Sequence, residues 1–282
     1  MGIGHGTAGV TVRPLTAGDI PGAMRLKDAA GWNQTEADWR NVMSIEPEGC
    51  FGIECDGDLR ATVTAVSFGP ELAWIGMMLT DAAYRGRGLA RCLMEQAIDH
   101  LKRRNAGWIK LDATDMGRPV YQRFGFQDEA PVERWIRKPR PVPPDRKQAG
   151  PYKANVALDR EAFGADRSQL LRVLAGMESA SIGDAGFAMG RAGSRAAYFG
   201  PCVARSVDVA RDLLGWFLNR HGKESVYWDI LPANREAVRM AREFGFEPVR
   251  QLVRMTLAAA PGAPPLRHED ALVFAIAGFE YG

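Results

Sequence analysis

The chain is short of groups that hold metals. Among its 282 residues are four cysteines (Cys50, Cys55, Cys92, Cys202) and four histidines (His5, His100, His221, His268). The cysteines match no zinc-ligand spacing and are too few and scattered for a disulfide framework, so a reducing cytoplasmic setting is expected. The histidines form no metal-like pair, and no metal is expected. His100 and His221 fall near the ends of helix-patterned segments, where a cation is favoured structurally. No apolar run approaches the ~20 residues that span a bilayer. The Gly-rich start, Met1 to Gly9, lacks the apolar centre of a signal peptide and reads as a loose tail. A charge excess is also missing. A net charge of +2 gives no global signal for nucleic acid, and no membrane partner is expected. The common nucleotide motifs are absent too: there is no G-x-x-x-x-G-K-[ST] and no G-x-G-x-x-G.

What is present is a packed, two-domain composition, with 46% hydrophobic and 25% charged residues. The most informative stretch is Tyr84-Arg85-Gly86-Arg87-Gly88-Leu89-Ala90. It follows the apolar run Leu72 to Leu79 and precedes a helix-patterned segment, Leu89 to Arg104. A strand that feeds a glycine turn opening a helix makes an anion socket. The glycines let backbone N–H groups approach, and the helix N-terminus adds positive potential. Arg85 and Arg87 add mobile positive charge.

Arg85-x-x-Gly88-x-Ala90 resembles the pyrophosphate signature [QR]-x-x-G-x-[GA] of the GNAT acyltransferases. The resemblance extends through the strand Trp108 to Thr114 and the block Tyr121-Gln122-Arg123-Phe124-Gly125-Phe126, and covers roughly residues 10–138. It implies a mixed α/β (α+β) fold, a mostly antiparallel twisted sheet flanked by helices. It also implies acetyl-CoA as the acyl donor. Main-chain groups of Met77, Met78 and Leu79 would pair with the pantetheine arm, with an N–H of Met78 or Leu79 polarising the thioester. The turn amides of Arg85, Gly86, Arg87, Gly88, Leu89 and Ala90 would hold the pyrophosphate. Tyr121 matches the family tyrosine that protonates the departing thiolate. A phenol, with a reference pKa of about 10, can donate at neutral pH.

Five prolines within Pro139 to Pro151 break the pattern and read as an extended linker. The two sides repeat each other. Phe124-Gly125-Phe126 recurs as Phe244-Gly245-Phe246, and Trp74-Ile75-Gly76 has a counterpart in Tyr198-Phe199-Gly200. The expectation is two GNAT-like domains in tandem, 8–138 and 152–282, joined by 139–151. In the second, Arg205-x-x-Asp208-x-Ala210 replaces the glycine by a carboxylate that repels a diphosphate, and Ala241 stands opposite Tyr121. That half is expected not to bind CoA in the usual way. In the tail, Ala271 to Ile276 could add a strand of open placement.

The resemblance implies direct attack of an amine on the thioester, with a small-molecule primary amine as acceptor. A CoA-binding sensor without turnover, a protein-modifying acetyltransferase and an O-acyl acceptor stay open, as does homodimerisation. Candidates on the acceptor side are Trp32 and Asn33, from Gly31-Trp32-Asn33-Gln34, an indole and two amides that can shape a pocket for a polar molecule. Glu71, Asp112 and Asp115 are candidate bases, each with an alternative reading as a solvated or capping carboxylate.

Overall fold

The computed structural model describes residues 11–141, 149–260 and 262–282. The tail Met1 to Gly9 and residues 142–148 of the expected linker lie outside the described residues. The first half runs β1 (Val12–Pro14), α1 (Ile20–Ala29), α2 (Glu36–Ile45), β2 (Cys50–Cys55), β3 (Asp58–Phe68), β4 (Leu72–Thr80), α3 (Leu89–Arg103), β5 (Trp108–Ala113), α4 (Arg118–Gln122) and β6 (Gln127–Arg137). The second runs β7 (Gly150–Pro151), α5 (Val156–Phe163), α6 (Ser168–Ala175), β8 (Glu178–Ile182), β9 (Gly186–Arg191), β10 (Ala197–Ala204), α7 (Val207–His221), β11 (Val226–Ile230), α8 (Arg235–Glu243), β12 (Glu247–Ala258) and β13 (Val273–Ala275).

Local chemistry sets the boundaries. Pro21 sits in the first turn of α1, where its missing N–H has no cost. Thr35 and Asp38 form a capping box that starts α2, with the Thr35 N–H donating to Asp38 Oδ2 at 2.7 Å. Asp56 and Gly57, both at positive φ, close the β2–β3 hairpin. Leu89, Leu93, Met94, Ala97, Ile98 and Leu101 repeat at helical spacing and bury one face of α3. Helix α5 and strand β8 carry no strong periodic signal and escape a sequence reading. Gly150–Pro151, read as linker, is an edge strand on β8, where proline is tolerated.

Two separate sheets would follow from two independent domains. Instead the strands form one sheet in the order β1-β2-β3-β4-β5-β12-β6-β11-β10-β9-β8-β7, with β13 paired to β10. The last strands of the halves are interleaved: β12 pairs with β5, and β6 pairs with both β12 and β11. Pairing is antiparallel except for β4–β5 and β10–β11. One hydrophobic cluster lies beneath α3 and another around α7 and α8. A third is shared, joining Trp39, Val42 and Trp74 of the first half to Leu171, Phe187 and Tyr281 of the second.

Two ion pairs fix the interleaving. Arg134 on β6 stands directly opposite Asp229 on β11, with Nε–Oδ1 at 2.8 Å and Nη2–Oδ2 at 2.7 Å. Arg254 on β12 stands opposite Asp112 on β5, with the same two bonds at 2.9 and 3.1 Å. Each guanidinium also lies over an aromatic ring, Arg254 over Trp74 and Arg134 over Phe279 and Tyr227. All four groups are buried, and a one-residue slip of either strand would send the arginine to the opposite face of the sheet.

Removing one partner strands the other charge. Arg134→Met, which leaves Asp229 alone, is expected to cost about 3–5 kcal/mol in urea unfolding. Arg25→Met, which breaks an exposed pair with Asp58, is expected to cost under about 1 kcal/mol. Because the exchanged strands tie the halves together, both variants should unfold in one transition. Two separated transitions would contradict the interleaved sheet.

Candidate active site

Strand β4 changes partners along its length. Over Leu72–Trp74 it pairs in parallel with Trp108–Lys110 of β5, and beyond Trp74 that pairing ends. On its other side the register with β3 slips between Thr62 and Thr64: Thr64 opposes Gly76, whereas Thr62 opposes Leu79. Three steps on β4 therefore match two on β3, which is a β-bulge. Met77 sits at the bulge with φ 48°, and its carbonyl accepts a 2.8 Å bond from the Thr62 hydroxyl. The result is a wedge between β4 and β5 with main-chain groups along one wall.

Register decides which groups these are. The Glu71 carbonyl accepts from the Trp108 N–H and so points towards β5. Alternation sends the groups of Ala73 and Ile75 the same way. The extra residue in the bulge shifts the phase, so that Met78 rather than Leu79 turns its main-chain groups into the wedge. No strand occupies that side of β4 beyond Trp74 among the described residues.

The wedge leads to the glycine turn. Gly86 and Gly88 both take positive φ, 74° and 81°, and Gly88 caps α3 in the left-handed conformation. A single-turn helix at Ala82–Tyr84 precedes them, capped by the Asp81 carboxylate on the Ala83 N–H. Arg87 donates to the Ala83 carbonyl and lies over the Tyr84 ring, whose hydroxyl donates to Asp56 at 2.7 Å. Arg85 is exposed. The amide N–H groups of residues 86–91 have no acceptor among the described residues, and the first helical bond of α3 is that of the Cys92 N–H to the Gly88 carbonyl. A braced turn therefore presents a row of unpaired N–H groups at a helix N-terminus, a ready anion site.

Tyr121, in α4, packs with Phe126 at the margin of the cluster beneath α3 that Met78 and Tyr84 also border. Its hydroxyl makes no hydrogen bond to the described residues, and burial pushes its pKa up to about 12. A Cβ on Gly117 would stand 2.9 Å from the ring, so glycine there makes room for it.

The expected acceptor-side residues are scattered. Asn33 is buried: its Nδ2 donates to the Ala196 carbonyl and its Oδ1 accepts from the N–H groups of Arg195 and Ala196. The Trp32 carbonyl accepts from the Ser194 hydroxyl. Both residues bolt the α1–α2 connection to the second half. Glu71 pairs with Arg160 at the far end of β4, seven residues and about 23 Å of extended strand from Met78. Asp112 holds Arg254, and Asp115 is exposed before α4. Of the candidate bases, Glu71 and Asp112 are each held by an arginine and so are not free.

The second half carries a matching wedge that is closed. Strand β10 pairs in parallel with β11 over Ala197–Phe199 and then departs. Strand β13 fills the gap. It pairs with β10 at Cys202 and Val203, the Ile276 N–H donates to the Asp229 carbonyl, and Trp228 Nε1 donates to the Phe274 carbonyl. The turn differs as well. Ser206 is extended at φ −153° and its hydroxyl caps the Val209 N–H, while Arg205 pairs with Glu161. Asp208 is exposed in the first turn of α7. The sequence points to Asp208 as the change that disables this half. The inserted tail strand, which gives no such signal, occupies the cleft itself.

Comparison with known proteins agrees with this geometry. Residues 23–126 match the model described as the Acetyltransferase (GNAT) family, and residues 156–272 match an Acetyltransferase (GNAT) domain. The chain belongs to the GNAT acetyltransferases, as a tandem member. Among solved structures, a candidate acetyltransferase of Pyrococcus horikoshii superposes with a TM-score of 0.84 at 22% identity, over 98% of this chain and 96% of that one. A GCN5-related N-acetyltransferase of Sphaerobacter thermophilus gives 0.66 at 16% identity, over 90% and 96%. A tandem GNAT protein from the clavulanic acid biosynthesis pathway gives 0.63 at 14% identity, over 90% and 99%. Among curated proteins none matches the chain. Among the described residues of this tandem GNAT protein no helix is long and apolar enough to cross a membrane, and there is no cluster suited to a metal ion.

The tyrosine gives a test independent of any ligand. With a folded pKa near 12 against an unfolded value of about 10, Tyr121 contributes stability that is present below pH 10 and lost as pH rises towards 12. Replacing Tyr121 with Phe should lessen the alkaline loss of stability between those values and leave the profile near neutrality parallel to wild type. Superimposable alkaline limbs would remove the assignment.

Proposed function

We propose that the first half transfers an acetyl group from acetyl-CoA to a primary amine of a small molecule, by direct attack within a ternary complex. The reading rests on one juxtaposition: unpaired amides at residues 86–91 stand at the end of a wedge walled by the free main-chain groups of Met78. The turn amides would hold the pyrophosphate, and Arg85 is free to swing onto it. The pantetheine arm would run along β4 as an added strand, which satisfies groups that β5 leaves unpaired. The Met78 N–H then faces the thioester oxygen, where negative charge develops during attack.

As the tetrahedral intermediate collapses, the C–S bond breaks and the thiolate takes a proton. Tyr121, which borders the same hydrophobic cluster as Met78, would give it. Burial keeps its phenol protonated well above neutral pH, and its hydroxyl has no competing partner among the described residues. Asp112 and Glu71, each paired with an arginine, do not serve as the base in this mechanism, and Asp115 or a chain of water can carry the amine's proton away.

Calorimetry should find one acetyl-CoA per chain. Gly88→Asp should abolish that binding without loss of fold, since aspartate tolerates the left-handed backbone better than most residues and brings a negative charge to the socket. Asp208→Gly should not create a second site, because β13 fills the second wedge whatever residue 208 is. A stoichiometry of two, or normal affinity in Gly88→Asp, would refute the assignment. With a panel of amines, Tyr121→Phe should lower kcat at least tenfold with little change in acetyl-CoA affinity. Binding without release of free CoA from any amine would favour a sensor instead.

A further inference from the structure

The exchanged strands carry three arginines on one face of the sheet, and one of them has no partner. On β12, Arg250, Leu252 and Arg254 stand directly opposite Arg134, Val132 and Ala130 of β6. Residues paired across antiparallel strands share a face. On this one Arg254 lies over Trp74 and Arg134 over Phe279. Asp112 takes up Arg254 and Asp229 takes up Arg134, each through two bonds. Asp229 is engaged by Arg134 through both oxygens, and Arg250 makes no hydrogen bond or ion pair with the described residues. It is partly buried. Burial and the adjacent Arg134 guanidinium push its pKa down, with Asp229 pulling the other way.

Where β5 ends decides what Arg250 borders. Trp74 of β4 is level with Lys110 of β5, and Lys110 with Thr256 of β12. Strand β5 stops at Ala113, opposite Val253, so residues 247–252 of β12 have no strand on that side among the described residues. This bare stretch borders the outer end of the open wedge. Counting from those pairs, Arg250 stands two to three residues past the level of Met78, roughly 7–10 Å along the strands, and two strand spacings across. Ala73, Ile75 and Leu111 meet α3 on one face, with Tyr121 at the margin of that cluster. Arg250 shares the opposite face with Trp74. The repeat offers a comparison. At the offset of 120 residues the counterpart of Arg250 is Ala130, which lies past the end of β11 beside the sealed wedge. Arg134 and Arg254 recur in both halves, whereas the unpaired arginine stands only beside the open wedge.

We propose that Arg250 binds the carboxylate of the acceptor, and that the acceptor is a small amino acid whose amine enters the wedge while its carboxylate stays at the mouth. The assignment to the acceptor rests on the acetyl-transfer reading above, whereas the carboxylate site rests on Arg250 and its surroundings alone. A guanidinium fork meets a planar carboxylate through two parallel N–H···O bonds. An anion there would also relieve the repulsion between Arg250 and Arg134. The amine then approaches the thioester from the face opposite Tyr121, so nucleophile and leaving-group donor do not compete for space. A neutral amine has nothing for Arg250 to hold.

The test compares 4-aminobutyrate with 4-aminobutanamide, its uncharged-end analogue, on the full chain. In release of CoA from acetyl-CoA, Arg250→Gln should lower the kcat/KM ratio of acid to amide by about tenfold or more, through KM. Arg250→Lys, which keeps the charge without the fork, should fall between, and it decides the matter if Arg250→Gln fails to fold. Thermal unfolding gives a reading without turnover: at equal ionic strength 4-aminobutyrate should raise Tm above the amide value in a saturable way, and Arg250→Gln should erase the difference. An unchanged ratio, or a Tm difference that survives in the variant, would overturn the site. A larger Tm rise with 2-aminoethylphosphonate than with 3-aminopropanoate would overturn the choice of a carboxylate. Acetyl-CoA calorimetry on the wild type separates the two ideas: absent binding sinks the acetyl-transfer reading, and the Tm comparison still judges Arg250.

Discussion

Two buried arginine–aspartate pairs hold this molecule in one piece. Arg134 with Asp229 and Arg254 with Asp112 each join the last strand of one half to the sheet of the other. The two arginines are 120 residues apart, the same offset that separates the Phe-Gly-Phe motifs, so the lock is itself repeated. Desolvating four charges is expensive, and replacing such pairs with apolar residues is often no loss in stability. What the pairs supply is register and partner choice. They oppose any arrangement in which β6 or β12 shifts along its neighbour. The sheet of the first half is therefore completed only by β12, and the second half is indispensable to the first whatever it binds.

The same plan, present in both halves, ends in two opposite states. In the first half the strand bulges, the wedge stays open, and the glycine turn leaves its amides without acceptors among the described residues. In the second the strand also parts from its neighbour, but a segment of the same chain supplies the missing hydrogen bonds. Unpaired strand groups rarely persist in a protein interior, so a wedge is filled either by a ligand or by the protein. Here the tail seals one wedge with β13, and Phe279 to Gly282 then pack on Trp74 and Gly76 of the strand that walls the other.

Much of this was legible in the residues. The capping box at Thr35, the Asp56–Gly57 hairpin, the amphipathic face of α3 and the glycine turn are local, and short-range sterics and hydrogen bonding specify them. The repeat was legible as well. The acceptor side was not. The β9–β10 connection takes up the side-chain amide of Asn33, which still lines a small pocket with Gln34, and the main-chain carbonyl of Trp32. Asp112 looks like a base until Arg254, 142 residues away, stands opposite it. Gln34 and Glu280, 246 residues apart, gave no signal of their own.

The sequence by itself determined the elements, the anion-binding turn and the doubling of the fold, because each depends on residues within one or two turns of chain. Only the tertiary structure decided which wedge stays open, which carboxylates are neutralised and what the tail does. Those outcomes depend on contacts across more than a hundred residues, where the partner that satisfies a buried group is set by strand order rather than by neighbouring sequence.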